Sequence, residues 1–181
     1  MTVVSGAADV AMLAALVREV ADFPQPGVTF RDITPLLADA RGFALCIDAL
    51  AAPWRGQSVQ AVCGIEARGF IFGAALARAL GAGFVPLRKP GKLPPPVRAI
   101  DYQLEYGHDR LEARRDALRP GERVVLVDDV LATGGTLAAA RALVAGFDAV
   151  TLGASVVVEL TVLQGRLRWQ AREPLHSLLR Y

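Results

Sequence analysis

Two adjacent carboxylates, Asp128 and Asp129, follow the apolar run VVLV and precede the short turn ATGGT at residues 132–136. Backbone N–H groups of a Gly/Thr turn at the start of a helix bind anions, and the helix dipole and threonine hydroxyls assist them. Paired carboxylates can accept hydrogen bonds from a vicinal diol or lie near a cation. A phosphate site beside a diol site suggests a ribose 5-phosphate as ligand.

Other interpretations of this motif compete with the phosphate site. A buried strand followed by an ordinary capped turn is the simplest alternative. A Walker loop would need Gly-Lys-Ser/Thr, and a dinucleotide-binding loop would need a different glycine spacing. A response-regulator receiver would carry its acidic pair near the first strand, whereas this pair comes late in the chain.

A second candidate anion site comes from the distribution of lysine. Of 20 basic residues only two are lysines, Lys89 and Lys92, and both lie beside Arg88 in PLRKPGKLP. Lysine binds phosphate as a point charge, so this loop could bind a polyanion. A solvated loop is the alternative interpretation.

A third loop, GIEARGF at residues 64–70, has the composition of a close turn. Gly64 and Gly69 permit close backbone approach, and Arg68 would point toward the same crevice as the two lysines. Alone this signal is weak, because Glu66 and Arg68 could form a surface pair. Together with the other two loops it indicates phosphate chemistry at one edge of the fold.

The elements that would position these loops alternate along the chain. The predicted strands are VQAVCGI, FVPLR, RVVLVDD and AVTLGASVVVE, and the predicted helices are DARGFALCIDALAAPW, GFIFGAALARAL and GTLAAARALVAGF. Asp39 is the candidate N-cap of the first of these helices, and Gly81 would close the second. Buried strands separated by helices predict an α/β fold with a parallel sheet covered on both faces. Ligands of such sheets bind beyond the carboxyl ends of the strands.

Three further segments complete the prediction. Val10, Leu13, Leu16, Val17 and Val20 fall at helical spacing and predict an amphipathic N-terminal helix. Residues 22–37 contain too many prolines and glycines for regular structure, so we expect an ordered arm there. The long polar connector between Lys89 and Arg123 predicts a short hairpin or flap.

Composition limits the function classes. A chain of 181 residues with 53% apolar residues suits one domain spanning residues 1–181, with the N-terminal helix and arm at about 8–38 and the flap at about 93–110. The formal net charge of +2 argues against nucleic acid as a partner and favours small molecules. No segment approaches the roughly 20 apolar residues of a membrane span, so a cytoplasmic protein without a membrane partner is expected. Cys46 and Cys63 lack metal-ligand spacing and are expected to be reduced core residues.

On these motifs the sequence resembles the type I phosphoribosyltransferases, because VVLVDDVLATGGT is similar to their binding motif for phosphoribosyl pyrophosphate (PRPP). The other segments resemble the adenine phosphoribosyltransferase branch of the family, in family order: DFPQPGVTFRDITPLL, GIEARGFIFGAALA, LRKPGKLP, LEYGHDRLEARRDAL and VVELTVLQGR. The resemblance implies a central, mostly parallel sheet flanked by helices, with a flexible flap or hood. It also implies Mg²⁺-dependent transfer of ribose 5-phosphate from PRPP to N9 of adenine, giving AMP and pyrophosphate, and a homodimer.

The resemblance further assigns roles to the residues that bind PRPP. Asp128 and Asp129 would hold the ribose 2- and 3-hydroxyls. The residues expected at the 5-phosphate are Ala132, Thr133, Gly134, Gly135 and Thr136. The residues expected at the pyrophosphate are Glu66, Ala67, Arg68, Arg88, Lys89 and Lys92, with a cis peptide bond between Glu66 and Ala67. Mg²⁺ would be held mainly by PRPP and water, with no direct protein ligand.

Base binding and catalysis follow from the same resemblance. Phe30 would stack on adenine with Leu160 on the opposite face, and the carbonyl of Thr29 and the N–H of Arg31 would meet its Watson–Crick edge. The catalytic residues would be Glu105, which contacts N7 of the purine when the flap closes, together with Arg68 and Lys89. His108 and His176 would be surface or structural residues.

The chain departs from the family pattern at Pro95 and Pro96, which puts the rate of flap closure in question. Two alternatives stay open at this point. One is a phosphoribosyltransferase for another base, and the other is a PRPP-sensing regulator that has lost catalysis.

Overall fold

The sheet that carries the site is parallel throughout. The computed structural model describes residues 6–103 and 108–181. Its strands are β1 (Arg18–Val20), β2 (Phe30–Asp32), β3 (Ala61–Ile65), β4 (Gly83–Leu87), β5 (Val97–Gln103), β6 (His108–Arg114), β7 (Arg123–Leu131), β8 (Val150–Glu159) and β9 (Leu175–Arg180). Its α-helices are α1 (Ala7–Ala15), α2 (Thr34–Ala38), α3 (Ala40–Ala51), α4 (Gly69–Leu80) and α5 (Gly135–Ala145). The main sheet has the order β4-β3-β7-β8-β9, which confirms the α/β prediction.

Both faces of this sheet are covered and buried. Successive strand residues point to opposite faces and therefore enter different apolar clusters. Val62 of β3 belongs to one apolar cluster with Leu50 of α3 and Leu76 of α4. The next residue, Cys63, belongs to a second cluster with Leu143 of α5. The central strands therefore read as continuous apolar runs, and their polar residues are left for the carboxyl ends.

The helix boundaries follow local signals. Asp39 caps α3 by accepting a hydrogen bond of 2.6 Å from the Gly42 N–H, as predicted. Gly81 ends α4 in the left-handed region at φ +68°, also as predicted. Cys46 and Cys63 are buried and free, and burial raises the pKa of each thiol to about 12. Both therefore stay protonated and inert in the core.

The N-terminal prediction is partly wrong. Helix α1 ends at Ala15, and residues 18–20 form β1, which pairs antiparallel with β2 from the arm. Val20 is β-branched and favours a strand once a partner strand is available, whereas Val17 lies in the bend between α1 and β1. The arm also contains the short helix α2, in which Pro35 occupies the first turn, where no N–H is needed.

The predicted hairpin is present as β5 and β6, which pair antiparallel. Leu111 and Ala113 of β6 are fully buried in the main core, so the hairpin is anchored at this strand. Strand β9 has no counterpart in the sequence analysis. It lies parallel to β8 at the edge of the main sheet, and its sequence LHSLLR shows no regular alternation.

In the part of the chain that the structure describes, we find no helix with both the length and the apolar character needed to cross a membrane.

Candidate functional site

The turn that follows β7 is shaped by two glycines. We call residues 132–136 the phosphate loop; it leads into α5, which begins at Gly135. Gly134 adopts φ +80°, and a Cβ on it would lie 2.2 Å from the carbonyl oxygen of Gly165. A Cβ on Gly165 would lie 2.0 Å from the carbonyl oxygen of Ala132. Neither position can carry a side chain without moving backbone, so the two segments pack main chain to main chain.

The loop encloses a small hollow at the amino end of α5. A cavity of about 60 Å³ is lined by Asp128, Val130, Leu131, Ala132, Thr133, Gly134, Thr136 and Leu137. N–H groups at a helix start and the hydroxyls of Thr133 and Thr136 are suited to an anion. The structure therefore brings together the residues predicted for the 5-phosphate.

The two carboxylates differ in their surroundings. Asp128 accepts a hydrogen bond of 2.9 Å from the N–H of Asp129. Burial, and then the neighbouring charge of Asp129, raise the pKa of Asp128 well above its ordinary value. Asp129 is 6% exposed and forms an ion pair with the Arg68 guanidinium. The pair thus holds one carboxylate that resists ionisation and one whose charge is already matched by a cation.

Close backbone packing lets the turn before α4 reach these carboxylates. A Cβ on Gly69 would lie 3.0 Å from the carbonyl oxygen of Val127 and 2.9 Å from Oδ1 of Asp128. The Glu66–Ala67 peptide bond is cis, as the resemblance implied. Arg68 follows it, and its guanidinium lies 5.7 Å from the ring centre of Phe30. Residues predicted for ribose, pyrophosphate and base therefore meet around Arg68.

Glu66 organises the lysine-containing loop. Its carboxylate accepts hydrogen bonds from the Lys89 N–H at 2.7 Å and from Arg88 Nη2 at 3.1 Å. The Arg88 hydrogen bond lowers the pKa of Glu66 and outweighs the opposing effect of burial. Arg88 also donates to the carbonyl oxygen of Lys92 at 3.1 Å. We call residues 66–68 and 88–92 the cation loops; Glu66 fixes one of them against the other.

The hairpin contributes two side chains that the sequence analysis did not assign. The Lys89 ammonium forms an ion pair with Asp109 and donates a hydrogen bond of 3.1 Å to the hydroxyl of Tyr102. That hydroxyl also lies 2.9 Å from Asp109 Oδ2 and 3.4 Å from Thr136 Oγ1. A chain of polar contacts thus runs from a cation loop through the hairpin to the phosphate loop. Tyr102 is one of two tyrosines in IDYQLEYG, which is a weak sequence signal, whereas Asp109 carried none.

The arm provides a concave surface for a base. A pocket of about 420 Å³ is lined by Gly27, Val28, Thr29, Arg31, Leu160, Val162, Leu163 and Tyr181. Phe30 packs edge-on against Phe23 at 5.1 Å between ring centres. Arg31 donates a hydrogen bond of 2.6 Å to Glu19 of β1, and its guanidinium lies 4.0 Å from the ring centre of Tyr181. Glu19 and Tyr181, which sequence reasoning missed, hold the Arg31 side chain in place.

One predicted residue, Lys92, does not join these contacts. Lys92 is exposed, and only its carbonyl oxygen is bonded within the cation loops. Glu105 lies outside the described residues. His176 is half-buried in β9 and packs edge-on against Trp54 at 5.2 Å between ring centres, away from the loops named above.

Comparisons with known proteins agree with this geometry. Residues 33–173 match the phosphoribosyl transferase domain. The chain is 57% identical over 165 residues to adenine phosphoribosyltransferase of Xanthomonas campestris, covering 91% of this chain and 89% of that protein. The crystal structure of the Rhodothermus marinus adenine phosphoribosyltransferase superposes with a TM-score of 0.92 at 47% identity, covering 97% of this chain and 100% of that one. The Saccharomyces cerevisiae enzyme, crystallised with adenine and an imino-altritol bisphosphate, gives a TM-score of 0.90 at 37% identity, covering 96% and 100%.

Proposed function

The chain belongs to the phosphoribosyltransferase family, among the adenine phosphoribosyltransferases, and we propose that it transfers the 5-phosphoribosyl group of PRPP to N9 of adenine, giving AMP and pyrophosphate. One observation carries this proposal beyond the family. Arg68 lies between the ribose-side carboxylate Asp129 and the ring of Phe30, so sugar, leaving-group and base positions share one small region.

The phosphate loop would bind the 5-phosphate through backbone N–H groups and the Thr133 and Thr136 hydroxyls. Asp128 and Asp129 would accept hydrogen bonds from the ribose 2- and 3-hydroxyls. Arg68 is paired with Asp129. Binding of the ribose diol to Asp129 would break this ion pair and free the Arg68 guanidinium to contact the pyrophosphate. Lys89 and Arg88 would approach the same leaving group from the other cation loop.

The chemistry places few demands on nucleophilic side chains. We propose a transition state with oxocarbenium character at C1 of the ribose, in which pyrophosphate departs before N9 is fully bonded. Positioning and electrostatic stabilisation then supply most of the catalysis. Arg68 and Lys89 would stabilise charge on the departing pyrophosphate. Glu105 would contact N7 of the purine once the flap has closed over the site and excluded water.

Mg²⁺ is the proposed cofactor. The donor chemistry of the site suits such a cation, because Asp128 and Asp129 are the carboxylates that would face it and Asp129 is already paired with Arg68. We propose that PRPP oxygens and water would supply most of its ligands, as is common for Mg²⁺ in phosphate sites. When bound, the cation would neutralise charge on the leaving group.

Base selection would come from the arm. Phe30 and Leu160 would enclose the purine, while the Thr29 carbonyl and the Arg31 N–H would meet N6 and N1 of adenine. A 6-oxopurine presents the opposite donor and acceptor pattern. It would leave buried backbone groups unpaired, which can reduce specificity constants by about four powers of ten.

Assembly and location are proposed on the family resemblance alone. We propose a homodimer in the cytoplasm, and light scattering after size-exclusion chromatography would measure the assembly.

The decisive experiment is a base panel with PRPP and MgCl2. We expect turnover of adenine, and turnover of hypoxanthine, guanine and xanthine lower by at least about a thousandfold. Replacing MgCl2 with EDTA should abolish the reaction. Equal turnover of adenine and hypoxanthine would overturn the assignment of the base, and absence of turnover with every base would favour a PRPP-binding regulator.

A further inference from the structure

A segment beyond β8 supports the phosphate loop from behind. Residues 160–168, which we call the support segment, contain two short 3-10 helices, Thr161–Leu163 and Gly165–Arg168. Gly165, the first residue of the second helix, packs against the phosphate loop, and a Cβ on it would lie 2.0 Å from the Ala132 carbonyl oxygen and 2.9 Å from the Gly134 nitrogen. Packed backbones of this kind transmit displacement, because no flexible side chain lies between them. The position of Gly165 therefore sets the position of the phosphate loop.

Arg166 holds the second 3-10 helix of the support segment, while Thr161 in the first helix donates from its N–H to the Tyr181 carbonyl oxygen at 2.8 Å. Arg166 Nε donates to Glu159 Oε1 at 2.9 Å, and Nη2 donates to Glu159 Oε2 at 2.6 Å. Nη1 donates to the Leu175 carbonyl oxygen at 2.7 Å, and Nη2 also donates to Ser177 Oγ at 2.7 Å. The planar guanidinium thus fastens the segment to the end of β8 and to β9 at once.

Glu159 is a rigid anchor for this arginine. It is 5% exposed, and Ser177 donates a further hydrogen bond to it. The hydrogen bonds from Arg166 lower the pKa of Glu159 to about 2, so the carboxylate is ionised at neutral pH. Glu159 is also the register partner of Leu131, the last residue of β7 before the phosphate loop.

We propose that Arg166 is a positioning residue for the 5-phosphate: through Glu159 it holds Gly165 against Ala132 and Gly134 and keeps the loop N–H groups aimed at the ligand. The inference rests on the proposed function of the phosphate loop. Leu160, on the base side, is tied separately, because its N–H donates to the Leu131 carbonyl oxygen at 2.9 Å. Loss of Arg166 should therefore weaken PRPP binding much more than adenine binding.

The test compares Arg166→Met and Arg166→Lys with the control Arg172→Met, which removes one charge from an exposed side chain of the same C-terminal region. We expect Arg166→Met to raise KM for PRPP about tenfold while KM for adenine changes by less than about twofold. Arg166→Lys retains the charge without the forked hydrogen bonds and should fall in between. Arg172→Met should match the wild type in both constants.

A second pair of variants reaches the same contact without changing a charge. Gly165→Ala should raise KM for PRPP at least as much as Arg166→Met does. The control is Gly83→Ala, whose Cβ would meet only the Gln60 carbonyl oxygen at 3.5 Å and should leave KM unchanged. This pair decides the question if Arg166→Met fails to fold.

Binding of ribose 5-phosphate separates this inference from the overall function. This probe has the 5-phosphate but no base or pyrophosphate, and we expect it to raise the melting temperature of the wild type more than that of Arg166→Met. Wild type that binds the probe but does not convert adenine would refute the proposed activity and leave the role of Arg166 intact. A lower melting temperature with both KM values unchanged, or equal rises in both, would show that Arg166 only stabilises the fold.

Discussion

The phosphate loop and the cation loops present different kinds of groups to the proposed PRPP site. The phosphate loop presents backbone N–H groups and hydroxyls, and its shape is fixed by the contact between Gly134 and Gly165. The cation loops present charged side chains that already have carboxylate partners: Arg68 with Asp129, Arg88 with Glu66 and Lys89 with Asp109. The 5-phosphate would thus enter a preformed site, whereas the pyrophosphate would have to exchange ion pairs.

This difference would give the phosphate loop and the cation loops separate roles in the proposed reaction. A preformed backbone site binds without reorganisation, so it suits the part of the substrate that does not change during the reaction. Paired cations can move from a protein carboxylate to the leaving group as charge develops there, which favours the transition state over the ground state.

The largest effect is expected from Lys89→Met. The change removes a cation from the leaving-group side and leaves the carboxylate of Asp109 without its ammonium partner. We expect kcat/KM for PRPP to fall about a thousandfold, the scale of losing one group that stabilises charge in the transition state. Lys92→Met is the matched control, because Lys92 is exposed, and it should cost less than about tenfold. Steady-state kinetics at saturating adenine measures both, and equal losses would contradict the distinction between the two lysines.

A smaller kinetic effect, accompanied by a gain in stability, is expected from Asp128→Asn. Loss of a carboxyl acceptor for the ribose diol should raise KM for PRPP about thirtyfold, or about 2 kcal/mol. The unliganded protein should become more stable at neutral pH, because the pKa of Asp128 is raised by burial and by Asp129. We expect a gain of about 1 kcal/mol, the usual scale of a single stabilising substitution, at the cost of function.

The raised pKa of Asp128 determines the direction in which this gain in stability changes with pH. A carboxyl group with a raised pKa in the folded state destabilises the fold only above its unfolded pKa, near 3.8. The gain from Asp128→Asn should therefore be absent below that pH and grow as the pH rises through the higher folded pKa. Denaturation midpoints across the acid range measure it. Asp148→Asn, at an exposed position, is the control, and a gain that shrinks with rising pH would refute the assignment.

The phosphate loop and the cation loops could be predicted from the sequence, but the side-chain contacts that hold each of them could not. Asp128, Gly134 and Lys89 stand in short motifs whose residue types and spacing carry local chemical meaning, so their grouping at one sheet edge could be predicted. Asp109 and Arg166 act on partners 20 and 7 residues away in the chain. No local pattern marks such pairs, because they depend on how the hairpin and β9 pack against the sheet.

Dependence on distant partners also explains why strands β1 and β2 were not predicted. Strand β1 and its partner β2 are three residues each, and they form because each supplies the other's hydrogen bonds. Intrinsic propensity is too weak to specify strands of that length without a partner. The long buried strands β7 and β8 were predicted correctly, since their apolar content alone requires burial on both faces.

The smallest effect is expected from Asp109→Asn, and its direction tests the contrast most directly. If Asp109 competes with pyrophosphate for the Lys89 ammonium, its loss should lower KM for PRPP about threefold, the scale of a partly exposed ion pair. Asp101→Asn is the control in the same hairpin, because its carboxylate pairs with Arg110 at 3.3 Å and has no part in the Lys89 contacts. The dependence of KM on ionic strength should also weaken in Asp109→Asn, since one exchange of ion pairs has been removed. A rise in KM approaching that of Lys89→Met would mean that Asp109 positions the lysine, and the cation loops would then be as preformed as the phosphate loop.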